Sequence, residues 1–140
     1  ELCGTLKGLK PTDKFMIYFF SDGAQAMPSR AMLPGTPQNI KWATNWVRER
    51  SVDGGTNPTQ ALSWCFNLRP DTVWLLTDGI FTQLSGMTTV EAFIRKLNAD
   101  DKVRVNTIGF HNNRNSVDKS LGPIAAANDG TYRFVNSSRK

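Results

Sequence analysis

Apolar residues in this chain fall into short unbroken runs and into helical stripes, and the two kinds of segment take turns. Phe15-Met16-Ile17-Tyr18-Phe19-Phe20 is a continuous apolar run, the pattern of a strand covered on both faces. Val73 to Leu76, Val103 to Phe110 and Thr131 to Val135 read as further strands, and Arg30 to Leu33 as a short edge strand before Pro34-Gly35. Residues 1 to 10 look like the end of a helix, with Leu2, Leu6 and Leu9 on one face and Gly8 near the stop. Pro11-Thr12-Asp13 makes a turn, and Ser21-Asp22-Gly23 ends the first strand.

Helix starts are marked by their caps. Thr36-Pro37 places an N-cap hydroxyl before a proline that needs no amide donor. That helix runs to about Arg50, with Ile40, Ala43 and Val47 on its stripe and Trp42 and Trp46 beside it. Asn57-Pro58 repeats the signal ahead of a helical segment from Thr59 to Leu68. Thr88-Thr89-Val90-Glu91 has the form of a capping box, opening a helix with Phe93, Ile94 and Leu97 facing inward. Ser116 to Asn128 is helical, with Gly122-Pro123 expected to kink or split it, and Gly130 stops it. Strands alternating with helices predict an α/β domain with a mostly parallel sheet, and residues 1–140 form one domain.

The chain is organised around Gly54-Gly55-Thr56-Asn57-Pro58 and Leu75-Leu76-Thr77-Asp78-Gly79. In a parallel α/β sheet, loops so placed bring Thr56 and Asp78 toward the carboxyl edge, where such folds bind ligands. Each residue also has a plainer reading. Thr56 and Asn57 suit a helix start, Asp78 a turn-forming Asp-Gly, and Asp22 the turn before Gly23.

Composition narrows the classes. At 39% apolar and 21% charged residues the 140-residue chain is an ordinary globular sequence rather than a disordered one. Its net charge of +5 is spread over scattered lysines and arginines, with a pair only at Arg139-Lys140, so no nucleic-acid surface is expected. The longest apolar run is too short to span a bilayer, so no direct membrane insertion is expected. No signal segment is visible, although a chain opening Glu1-Leu2-Cys3 reads as N-terminally truncated; its compartment is not assigned. Cys65 lies on a helical apolar pattern as a small hydrophobe, and Cys3 near the end can be free. The four tryptophans sit in apolar patterns and are expected in the core, Trp42 partly exposed. His111, the single histidine, falls in the polar stretch Phe110-His111-Asn112-Asn113. Neither Gly-x-Ser-x-Gly nor a P-loop motif occurs.

The two loops, 22 residues apart from Thr56 to Asp78, resemble those of a von Willebrand factor type A (VWA) domain of bacterial type. The likeness extends to Leu9–Phe20, to Thr36-Pro37-Gln38-Asn39-Ile40, to Val105–Phe110 and to Ala125–Val135, nearly the whole chain. It implies a doubly wound, mostly parallel, Rossmann-like sheet with helices on both faces. It also implies a metal-ion-dependent adhesion site built from three loops: Asp-x-Ser-x-Ser after the opening strand, a Thr in the second and an Asp in the third. Carried over, Thr56 is the second-loop ligand and Asp78 the third-loop carboxylate, with Asn57 and Asp22 as possible loop contributors. No Asp-x-Ser-x-Ser occurs. The family's first central strand is therefore expected to be missing. Asp22-Gly23-Ala24-Gln25-Ala26-Met27 offers an alternative reading as a degraded version, Asp-x-Ala-x-Ala; against it, alanine supplies no oxygen and Asp22 precedes Thr56 by only 34 residues.

These readings predict a non-enzymatic protein-interaction module with an incomplete metal site, acting on an unidentified protein partner. The chain as it stands is expected to carry no cofactor, and Mg²⁺ only if the missing loop is supplied. The slot left by the strand should close by direct pairing of the Phe15 and Val73 strands or be filled from another chain, as in a strand-sharing dimer. The alternatives are an α/β enzyme using Asp22, Asp78 and His111 as acid–base groups, and a structural domain whose site has decayed.

Overall fold

A computed structural model describes residues 1–51, 54–82, 84, 86, 88–111 and 114–136. The polar stretch at Asn112-Asn113 and the basic pair Arg139-Lys140 lie outside the described residues. In chain order the elements are α1 (Leu2–Lys7), β1 (Lys14–Phe15), β2 (Tyr18–Phe20), β3 (Ala24–Ala26), β4 (Leu33–Pro34), α2 (Pro37–Arg48), α3 (Thr59–Asn67), β5 (Thr72–Thr77), α4 (Val90–Leu97), β6 (Arg104–His111), α5 (Arg114–Ala127) and β7 (Tyr132–Asn136).

The principal sheet has the order β5-β6-β7, parallel throughout. Its register pairs Val73 with Val105, Leu75 with Thr107 and Thr77 with Gly109, so these six share one face. The α5 helix lies against that face. The Thr107 hydroxyl donates to the Leu121 carbonyl at 3.0 Å, and a Cβ at Gly109 would collide with Val117. Leu62 and Phe66 of α3, Val90 and Ile94 of α4 and Val117, Leu121 and Ile124 of α5 close the core over Val73, Leu75 and Val105. On the opposite face Arg133, level with Ile108, is ion-paired with Glu1 at the start of α1. A second core joins α1, α2 and the chain before α2: Leu6, Phe15, Ile17, Met27, Ala43 and Trp46.

The apolar run at residues 15–20 differs from its prediction. It is broken into β1 and β2, each paired antiparallel with a short strand, β4 and β3 respectively. Its residues Tyr18, Phe19 and Phe20 are half-buried rather than covered on both faces. The edge strand expected at Arg30 to Leu33 is Leu33–Pro34, and β3, in the stretch Ala24–Ala26, carried no strand signal. β2 and β5 belong to separate sheets, so direct pairing of the Phe15 and Val73 strands does not occur among the described residues.

Trp74 departs from its expected core position for the same reason. It is 46% exposed, on the face opposite α5, in a strand that among the described residues has a ladder only on its β6 side. Trp46 is buried and Trp42 is 39% exposed, as its pattern suggested.

Local chemistry explains the helix limits. Thr36 accepts a hydrogen bond from the Asn39 amide at 3.3 Å and Pro37 follows it. Replacing Thr36 by Ala should cost about 1 kcal/mol, read as a lower urea midpoint at unchanged slope. At α4 the cap is Thr89, bonded to the Ala92 amide at 3.1 Å. Glu91 then falls one residue short of the reciprocal capping position and pairs instead with Arg95 at 2.8 Å. The α5 helix runs unbroken through Pro123. The carbonyl that Pro123 leaves without its helical amide donor is that of Lys119, an exposed residue.

Candidate functional site

Three loops meet beyond the carboxyl end of β5, and named hydrogen bonds hold them together. The loop after β2 is tied to the loop before α3 through Asp22, whose Oδ1 accepts from the Gly55 amide at 2.9 Å, and through the Ser21 carbonyl, which accepts from the Asn57 amide at 2.8 Å. Gln60 of α3 adds a third tie, its Oε1 accepting from the Ala24 amide at 3.1 Å. The loop after β5 is tied to the loop before α3 by a reciprocal pair. The Thr56 amide donates to Thr82 Oγ1 at 2.9 Å, and the Thr82 amide donates to the Thr56 carbonyl at 3.0 Å.

The paired glycines make this approach possible. Gly54 has φ of 110°, in the left-handed half of conformational space, and a Cβ there would stand 2.9 Å from Asp22 Oδ2. A Cβ on Gly55 would collide with Asp22 Oδ1 and crowd Thr82 Oγ1 at 3.1 Å. Asp22 is therefore a long-range tether, not only the turn residue its Asp-Gly neighbourhood suggested.

Helix capping falls to Asn57 alone. Its Oδ1 accepts from the Thr59 amide at 3.1 Å and from the Thr59 hydroxyl at 2.7 Å. Thr56 takes no part in the cap, and its hydroxyl has no hydrogen-bond partner among the described residues. Asp78 does form the expected turn. Its Oδ1 accepts from the Ile80 amide at 3.0 Å, while Gly79 takes φ of 75° and its carbonyl accepts from Ser120 of α5 at 2.8 Å. That role occupies one carboxylate oxygen; Oδ2 has no partner among the described residues.

His111 ends β6, half-buried and level with Asn136 of β7. Among the described residues no three or more His, Cys, Asp or Glu side chains form a group able to hold a metal ion. The hydroxyl of Thr56 and the free oxygen of Asp78 are hard donors of the kind Mg²⁺ takes, but an octahedral ion needs more of them than these two side chains provide. Among the described residues these two donors match the ion in kind. Burial pushes the Cys65 thiol up to about 12, so it stays protonated at neutral pH.

Thr82, Gln60 and the Ser21 carbonyl escaped sequence reading. Only the Gly54-Gly55 pair signalled that another chain segment comes close there.

A profile of the von Willebrand factor type A domain matches residues 3–134, and the chain belongs to that family. It is 29% identical over 130 residues to the human von Willebrand factor A domain-containing protein 3B, covering 91% of this chain and 10% of that protein. The chain thus spans about a tenth of the length of the curated relative it matches. Its fold is similar to a von Willebrand factor type A structure from Catenulispora acidiphila, with a TM-score of 0.70 at 20% identity over 96% of this chain and 32% of that one. It is also similar to proximal thread matrix protein 1 from the mussel byssus, with a TM-score of 0.67 at 20% identity over 99% of this chain and 35% of that one. VWA domains are generally protein-interaction modules, and the doubly wound α/β fold expected of one is the fold observed.

Proposed function

We propose that this domain is a non-enzymatic protein-interaction module with an incomplete metal-ion-dependent adhesion site at the carboxyl edge of β5. One observation carries the reading: neighbouring groups perform the structural work at the site, Asn57 the cap and a single Asp78 oxygen the turn, and leave the Thr56 hydroxyl and Asp78 Oδ2 without partners. Thr56 and Asp78 are the ligands this chain offers. Asp22 and Asn57 position the loops that carry them. A hard divalent ion bound there would supply a positive centre for a carboxylate of the partner protein, and completing its shell requires oxygens from outside this pair.

The remaining partner is an unidentified protein. Among the described residues no helix is long and apolar enough to cross a membrane. Strand sharing stays part of this proposal: β5 ends its sheet among the described residues, and a strand lent by a second chain would pair with that open edge.

The test is thermal unfolding of this domain and of a version extended upstream, each with and without Mg²⁺. The 140-residue domain should not shift, and the extended version should rise by the amount ligand linkage dictates. Thr56→Ala and Asp78→Ala should each abolish that rise. Tight, stoichiometric Mg²⁺ uptake by the present chain in calorimetry would overturn the incomplete-site reading. A concentration-dependent dimer in sedimentation, lost when β5 is capped by a charged substitution at Trp74, is the outcome expected of strand sharing.

A further inference from the structure

Beside this site, at the turn joining β2 to β3, lies a cavity of about 270 Å³. Phe19 and Phe20 form an apolar wall, and Ser21, Gln25, Arg50 and Ser51 supply its polar groups; no acidic side chain lines it among the described residues. Arg50 follows the last turn of α2, its amide donating to the Val47 carbonyl at 3.2 Å. Its guanidinium carbon stands 5.0 Å from the ring centre of Trp46, a residue only 7% exposed. The fork is thereby held by a ring that is itself fixed in the core.

Arg50 Nε is buried and has no hydrogen-bond partner among the described residues. It is the single buried side-chain nitrogen or oxygen in that condition among the described residues. Arg50 also has no ion pair among them. Stacking on Trp46 and attraction to the carbonyl end of α2 account for where the side chain lies. They do not account for a buried donor with no acceptor, an exception in folded proteins.

We propose that this cavity is a carboxylate-binding site, in which Arg50 takes a Glu or Asp side chain of a partner protein directly, without a metal ion. A carboxylate is planar and carries two acceptor oxygens that match the guanidinium fork. The Ser21 and Ser51 hydroxyls and the Gln25 amide can donate to the same oxygens, and the Phe19–Phe20 wall packs against the methylenes of the incoming side chain. The Asn57–Ser21 bond joins this cavity to the loop carrying Thr56, so both belong to one edge of the domain. The inference rests on the reading of the domain as an interaction module and gives it a cation that the chain itself carries.

The experiment is an NMR titration of the domain in EDTA with N-acetylglutamate methylamide, following the Arg50 Nε–H resonance and the Gly23 and Ala24 amides. Inorganic phosphate is titrated in parallel. The Arg50 resonance should move downfield and saturate. In Arg50→Lys, which keeps the charge and loses the fork, the backbone amides should report an affinity about tenfold weaker. An unmoved Arg50 resonance, a response to phosphate but not to the carboxylate, or unaltered binding by Arg50→Lys would each overturn the proposal. Its failure is separable from failure of the metal-site reading, which is decided by Mg²⁺ through Thr56 and Asp78, whereas here the ion is chelated.

Discussion

Replacing Asn98 by Ala is expected to destabilise the domain by about 4 kcal/mol, a large share of the roughly 5–15 kcal/mol that holds a domain of this kind. Asn98 is 1% exposed, at the end of α4. Its Nδ2 donates to the Val103 carbonyl at 2.8 Å and to Asn128 Oδ1 at 2.8 Å, and its Oδ1 accepts from the Val103 amide at 3.1 Å. Asn128, itself buried, passes the network on by donating to the Ile124 carbonyl at 2.8 Å. One side chain thus joins the end of α4, the approach to β6 and the end of α5. Alanine would leave an amide, a carbonyl and a carboxamide oxygen buried without partners, each costing about 1–3 kcal/mol before relaxation and water entry reduce the sum. Asn98→Asp keeps the acceptor, loses both donors and buries a charge, so it should be no milder. Urea unfolding monitored by tryptophan fluorescence reads both. A loss below about 1 kcal/mol for Asn98→Ala, the range of an ordinary surface substitution, would show that the network is replaceable.

Gly130→Ala is expected to cost about 3 kcal/mol, against a usual gain of about 0.4–1 kcal/mol for Gly→Ala where the backbone tolerates alanine. The sign follows from what surrounds the residue. Gly130 lies outside the left-handed region, so conformation alone does not demand glycine. A Cβ there would collide with the Val105 carbonyl and stand 3.1 Å from the Asn106 amide. These are backbone atoms of the central strand, which cannot rotate away as a side chain can. The segment is also pinned from both sides. The Gly130 amide donates to the Ala125 carbonyl at 2.9 Å, and the Val105 amide donates to the Asn128 carbonyl at 3.1 Å. Alanine must therefore push β6 away from the turn that ends α5. A calorimetric midpoint equal to or above that of the wild type would refute this packing argument.

Local chemistry made most of the fold legible. The α2 start needs only a hydroxyl and a proline in adjacent positions, and Thr36-Pro37 supplies both. β5 and β6 are short, rich in β-branched and aliphatic residues, and flanked by helical stripes, so a parallel α/β arrangement was the economical solution. The first part of the chain was harder to read. An apolar run from Phe15 to Phe20 looks the same whether a central sheet covers it or two small antiparallel strand pairs divide it between two cores. Periodicity cannot separate those cases, because both give the run apolar neighbours.

The site divides in the same way. Thr56 and Asp78 stood out because glycine and proline punctuate their loops, and the order of those loops along the chain is a local property. Asp22 looked like a turn residue, because nothing near it in sequence discloses an amide arriving from Gly55. Thr82, which bonds Thr56 twice, has no motif at all. Arg50 reads in sequence as one more scattered cation; that Trp46 lies beneath it and that its Nε has no acceptor among the described residues are tertiary facts.

By itself the sequence determined the helices, the strands from β5 onward, the α/β class and the family, because each rests on neighbours a few residues apart or on the succession of loops. Only the tertiary structure decided which strands share a sheet, that Trp74 faces outward, that Asn98 and Asn128 are buried partners, and which oxygens at the carboxyl edge are left without work. Those outcomes depend on groups that are distant in sequence and meet only when the chain has folded, and no local pattern encodes their meeting.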